Sequence, residues 1–170
     1  MAHFESLMKA QFNPPRNWTL LEDLKFHSDL LTDDQAEMLR HCGVKVRNHN
    51  KTDAYVITIP VEYVTDMASV PRAIWAFIAP FDVARPAVVH DIMYEKINTQ
   101  YKAVNESAAA EEGPATKEER EAYRKIADAI FLEGMHVTEP AVAGWKKYAC
   151  YYAVRVFGRF AINSSAKRIV

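Results

Sequence analysis

The apolar residues change period at Pro71, and that change limits the folds open to the chain. Before it, "GVKVRNHNKTDAYVITIPVEYVTD" alternates: Val44 and Val46 are interleaved with Lys45 and Arg47. Val56, Ile57 and Ile59 add the β-branched side chains that suit a pleated surface. Two strands around a polar turn at Asn48–Asp53 are predicted. After Pro71 the apolar spacing becomes helical. Strands followed by helices predict an α+β domain: a small antiparallel sheet in the N-terminal third, packed with a mainly helical C-terminal half.

Local signals divide the chain further. "NPPRN" reads as a loop, because Pro14 and Pro15 can continue neither a helix nor a central strand. "WTLLEDLKF" fits a strand and a helix equally. In "LTDDQAEMLRHCG", Thr32 and Gln35 form a capping box and Gly43 can end the helix in a left-handed residue, predicting a helix over 33–41. "PRAIWAFIAP" fits a short helix stopped by Pro80. "DVARPAVVHDIMYEKI" fits another, with Asp82 as N-cap and Pro86 in or near its first turn. Residues 98–115 hold few large apolar side chains and read as an exposed loop excursion. Thr116 and Glu119 make a second capping box, and Tyr123, Ile126, Ala127, Ile130 and Met135 follow as an apolar stripe. A last long helix is expected from a Thr138 cap to Gly158, then a basic tail over 159–170.

With 170 residues and no internal repeat, residues 1–170 are expected to form a single domain. No apolar run approaches the ~20 residues of a transmembrane segment. The start "MAHFESLMKAQFNPPRN" lacks a basic stretch followed by an apolar one, so no signal peptide is expected. Cys42 and Cys150 show no Cys-x-x-Cys spacing and are expected to be free thiols in a reducing compartment. The net charge of −1 conceals an asymmetry. All 22 acidic residues lie at or before Glu139, against 15 basic ones there; beyond it come six basic residues and no carboxylate. Such an end suits phosphate, a membrane surface or an acidic protein, and it also neutralises the acidic body of its own fold or of a second copy.

Ionisable residues in the helix through residue 90 need a partner or a use. His90 and Tyr94, at i and i+4, share one face, whereas Asp91 points about 100° away. Pairing this helix antiparallel with the next would bring Asp128 against His90 or Tyr94. A carboxylate there would hold one imidazole nitrogen and leave the other for substrate or water. Asp66, from a strand end beside the Ser69–Pro71 turn, can join Asp91 around a hard cation such as calcium, which prefers oxygen ligands. Each residue also has a structural explanation. Asp66 and Ser69 can cap a helix, His90 can be a satisfied core histidine, and Asp91 can pair with Arg72 or Arg85. Asp128 can pair with Arg124 or Arg155.

"TDMASVPR", "AVVHDIMYEK", "ADAIF" and "YAVRVFGRF", in that order, resemble an uncharacterised family of phage and prophage proteins over roughly residues 55–160. The resemblance implies a bacteriophage or prophage origin and a virion- or tail-associated or lysis-related role, in a virion or the host cytoplasm. It brings no established reaction. H-D-x-x-Y on one helix with an Asp on the next is also similar to the calcium-dependent secreted phospholipases. That likeness implies His90 as the base activating water, Asp91 as calcium ligand, Asp128 as the group orienting His90, and Tyr94 as its support. The ion would polarise an ester carbonyl. The sequence departs from that pattern: 66–86 contain no glycine for a carbonyl-lined loop, and the flanking disulfides are missing.

Other chemistries lack their residues. His27, His41 and His49 have no zinc spacing, the five scattered glycines build no phosphate loop, and Ser69 lacks a nucleophile-elbow sequence. The basic end carries no nucleic-acid reader motif. In the last helix Trp145, Tyr148, Tyr152 and Val156 lie near one face, an aromatic stripe that points to core or protein interface before membrane surface. Two readings follow. One is a small particle-borne hydrolase acting on lipid or another cell-envelope ester. The other is a non-enzymatic virion component whose motif stabilises the fold and whose Trp145–Val170 region contacts other phage virion proteins.

Overall fold

A computed structural model describes residues 1–15, 17–49, 54–66, 83–106 and 112–165 of the chain, with side chains as far as Val156. The expected helix over "PRAIWAFIAP", the Asp82 cap, Ser69 and Arg72 lie outside the described residues. Two antiparallel sheets occupy the N-terminal part. β1 (His3–Phe4), β4 (Leu24–Ser28), β6 (Tyr55–Ile59) and β5 (Lys45–Asn48) form the larger, in the order β1-β4-β6-β5. β2 (Ala10–Asn13), β3 (Asn17–Leu20) and β7 (Val64–Thr65) form the smaller. The described helices are α1 (Asp33–His41), α2 (Ala84–Glu106), α3 (Lys117–Val137) and α4 (Gly144–Ser165). The α+β architecture with its N-terminal strands is as the period change predicts.

Register explains the alternation. Phe26 pairs with Ile57 and Ile57 with Val46, a transverse row of buried apolar side chains. The neighbouring rows, Lys25–Thr58–Lys45 and His27–Val56–Arg47, take the other face. A one-residue slip would exchange these faces, so burial fixes the register. "WTLLEDLKF" resolves into the ends of two strands, β3 and β4, rather than one element.

Both capping boxes are present. Thr32 accepts from the Gln35 amide and Thr116 from the Glu119 amide, with the reciprocal side-chain bonds made. Gly43 has φ +78° after the Cys42 cap, and its N–H donates to the Arg40 carbonyl at 2.7 Å, the left-handed stop that a glycine permits.

Three differences from the sequence reading have physical causes. Residues 98–106 continue α2 instead of forming a loop. Polar contacts replace the missing apolar stripe: buried Asn98 accepts from Arg124 at 3.0 Å, and the Arg120 guanidinium lies 4.2 Å from the Tyr101 ring centroid. Thr138 ends α3 with extended backbone rather than opening the next helix. The last helix begins only at Gly144, where the Ala143 carbonyl accepts from Lys146 and Lys147, and it continues past Gly158 to Ser165.

The sheet's inner face packs with α1, α2 and α3 around Phe26, Leu39, Ile57, Val88, Met93 and Ile130. Each such side chain contributes about 1.5–3 kcal/mol by leaving water. A second cluster, with Phe131, Met135, Cys150 and Val154, joins α3 to α4. The buried thiols of Cys42 and Cys150 are free. At the end of β4 the Ser28 hydroxyl donates to Glu133 Oε2 at 2.6 Å and the Asp29 amide to Oε1 at 2.9 Å, tying α3 to the sheet. No described helix is long and apolar enough to cross a membrane.

Candidate active site

α2 and α3 run antiparallel, as contacts at Pro86–Gly134, His90–Asp128 and Asn98–Arg124 show in sequence. A Cβ on Gly134 would lie 3.2 Å from Pro86 Cβ, so the missing side chain admits the close approach. This pairing carries Asp128 to His90. His90 Nε2 lies 2.8 Å from Asp128 Oδ1, and the Tyr94 hydroxyl donates to the same oxygen at 2.7 Å. From α4, Arg155 Nη1 donates to Oδ2 at 2.8 Å while Nη2 sits 3.0 Å from Glu121 Oε1. Burial pushes the Asp128 carboxyl up, but its bonds to His90, Arg155 and Tyr94 outweigh that and hold it below the ordinary carboxylate range. Burial and the Asp128 charge raise the Tyr94 phenol, which stays protonated as a donor.

The protonation pattern follows. An ionised carboxylate only accepts, so the imidazole nitrogen facing it carries the proton. In neutral His90 the lone pair then belongs to Nδ1. That atom is buried and has no hydrogen-bond partner among the described residues. The ring is held between Tyr94 and Phe131, at centroid distances of 4.1 and 5.1 Å. His90 is 2% exposed and Asp128 0%, so neither side chain is presented at the surface as an open hydrolase site would present it.

Asp91 faces the other way, toward β7, as the 100° helical step requires. Thr65 Oγ1 donates to Asp91 Oδ2 at 2.7 Å. Burial, with the nearby charges of Asp66 and Glu95, pushes the Asp91 carboxyl up to about 8 against the help of Thr65. Tyr63 donates to Glu95 at 3.1 Å, and burial followed by the Asp91 and Glu95 charges drives its phenol upward. Asp66 and Asp91 therefore do share one electrostatic neighbourhood. Yet among the described residues no three His, Cys, Asp or Glu side chains converge as ligands, so these side chains alone do not complete a calcium site.

The alternative partners also resolve. Arg155, not Arg124, binds Asp128, whereas Arg124 lies 5.5 Å from the Tyr94 ring centroid and donates to Asn98. Arg85 donates to the carbonyls of Ser6 and Glu139. Sequence reasoning named Arg155 only as one possible ion-pair partner and gave no role to Asn98, Thr65, Tyr63 or Glu95. For Arg155 the available signal was a cation on a helix otherwise free of acids.

A family model described as "Protein of unknown function (DUF1353)" matches residues 43–154, a span that contains His90, Asp91, Tyr94 and Asp128. No curated protein and no solved structure matches the chain.

Proposed function

The chain belongs to this family of unknown function, and we propose that it is a phage-type hydrolase of ester bonds in which His90 is the general base. The observation carrying this reading is the division of labour on one ring: Nε2 bound by Asp128 at 2.8 Å, Nδ1 without a partner. Water bonded to Nδ1 would give that nitrogen its proton while its oxygen attacks the ester carbonyl. Asp128 would stabilise the resulting imidazolium, with Tyr94 and Arg155 as positioning residues. The collapsing intermediate would release acid and alcohol and return the proton from Nδ1 to the leaving oxygen. Calcium held by Asp91 and Asp66 belongs to this proposal as the charge beside the carbonyl, although their carboxylates need further oxygen donors. Water activation at His90 stands without the ion. Substrate reaches Nδ1 only after a movement that uncovers His90. The resemblance to phage proteins supplies the setting, a particle entering or leaving a cell and an ester of its envelope.

A second reading, a non-enzymatic particle component, has its own observations. Arg155 occupies the second oxygen of Asp128, and Trp145, Tyr148, Tyr152 and Val156 are all at least half exposed or close to it along α4. That stripe would then be the contact with other virion proteins.

Fatty-acid release from mixed phospholipid vesicles with calcium separates the two. In His90→Gln the amide can still donate to Asp128 but cannot act as base. It should melt near wild type and lose at least ~100-fold in turnover. Wild type without turnover, together with early melting of His90→Ala, would leave only the structural role.

A further inference from the structure

The outer face of the larger sheet carries a cleft of about 390 Å³ that the His90 chemistry does not use. It lies over β4, β6 and β5, where Thr58 and Val56 form the floor and Lys25, Arg47 and His49 stand around it. Its charges do not cancel. Glu5 is committed twice, to His27 at 2.8 Å and to Lys25 at 3.1 Å. Those bonds hold its carboxyl below the ordinary value, which leaves Arg47 as a cation without a carboxylate partner among the described residues.

Edge strands often carry lysine simply to refuse another strand. That accounts for Lys45, which does not line the cleft. Arg47 does line it, beside the Thr58 hydroxyl and the ammonium that Lys25 shares with Glu5. A surplus cation beside further N–H and O–H donors suits an oxyanion, and a guanidinium fits phosphate through two parallel N–H groups. The volume falls in the ~300–1,000 Å³ range of small-molecule sites and is larger than one inorganic phosphate requires. Val56 offers apolar surface to the remainder of the ligand.

We propose that this cleft binds a phosphate-bearing small molecule or headgroup, with Arg47 as its anchor and Lys25 and Thr58 as further donors. The site is independent of any reaction at His90.

The experiment titrates the full chain at low ionic strength with inorganic phosphate, glycerol 3-phosphate and phosphatidylglycerol vesicles, following backbone amide shifts for the soluble probes and co-sedimentation for the vesicles. Arg47→Gln and Thr58→Val alter exposed or half-exposed side chains and are checked by their unchanged melting. Glycerol 3-phosphate should move amides of β5 and β6 and bind more tightly than inorganic phosphate. Arg47→Gln should weaken it by at least about tenfold, the loss of one charge-assisted contact. Soluble-probe binding lost in Arg47→Gln assigns the source to free phosphate esters, and vesicle binding lost in that variant assigns it to a lipid headgroup. The proposal is overturned if no probe binds up to about 10 mM, or if Arg47→Gln binds as wild type does.

Discussion

Asp128 and Glu133 sit five residues apart on α3, both buried, with opposite electrical character. Asp128 is held below the ordinary carboxylate range because His90, Arg155 and Tyr94 all stabilise its charge. Glu133 is pushed above the ordinary range, since burial outweighs the help of Ser28 and the Asp29 amide. Depth inside the protein therefore does not set the charge of a carboxylate; the surrounding donors do. One residue is equipped to stabilise a neighbouring cation, and the other works as a tie between helix and sheet.

The contrast can be broken most forcefully at Asp128. Asp128→Ala leaves Arg155 and His90 without their shared anion and should cost about 3–5 kcal/mol in urea denaturation. A loss under about 1 kcal/mol would mean that the buried cluster contributes nothing as a unit. The isosteric pair comes next. Asp128→Asn removes the charge its partners need and should cost about 2 kcal/mol, whereas Glu133→Gln, among neutral partners, should cost under about 1 kcal/mol. Their pH dependences should also have opposite signs. The lowered Asp128 contributes stability that is present above its ordinary value of 3.8 and lost as pH falls through its folded value. The raised Glu133 contributes stability present below 4.5 and lost as pH rises through its folded value. Melting curves of the two variants across pH should therefore flatten on opposite sides. Parallel curves would show that the two groups do not differ in charge.

The smallest effect concerns Asp91. Its folded form keeps the proton from about 4 up to about 8 while the unfolded chain releases it, so stability declines as pH rises through that window. Asp91→Asn should remove the decline and gain about 1 kcal/mol at pH 8, less than the full shift because the side chain keeps some accessible surface. A variant less stable than wild type at pH 8 would contradict this assignment.

What could be read from the chain depended on how local the signal was. Thr32 with Gln35 and Thr116 with Glu119 announced two helices, because a cap is made within four residues. The meeting of His90, Tyr94 and Asp128 was also legible, since helical spacing puts His90 and Tyr94 on one face and consecutive elements are usually neighbours in space. Arg155 was harder, because its partner depends on where a third helix docks. Residues 98–106 misled for a different reason. Asn98 and Tyr101 hold their helix through Arg124 and Arg120, and such polar contacts leave no hydrophobic stripe to detect. The cleft under Arg47 required the register of three strands, which alternation alone does not supply.

The bond from Ser28 to Glu133 joins residues 105 positions apart. At a synthesis rate of about 5–20 residues per second, β4 leaves the ribosome roughly 5–20 s before Glu133 does. Through the later part of that interval the apolar row of Phe26, Ile57 and Val46 has the cover of α1 and α2 but not yet that of a complete α3. The sheet is thus sealed in stages, and the last tie between strand and helix forms only when the far end of α3 arrives.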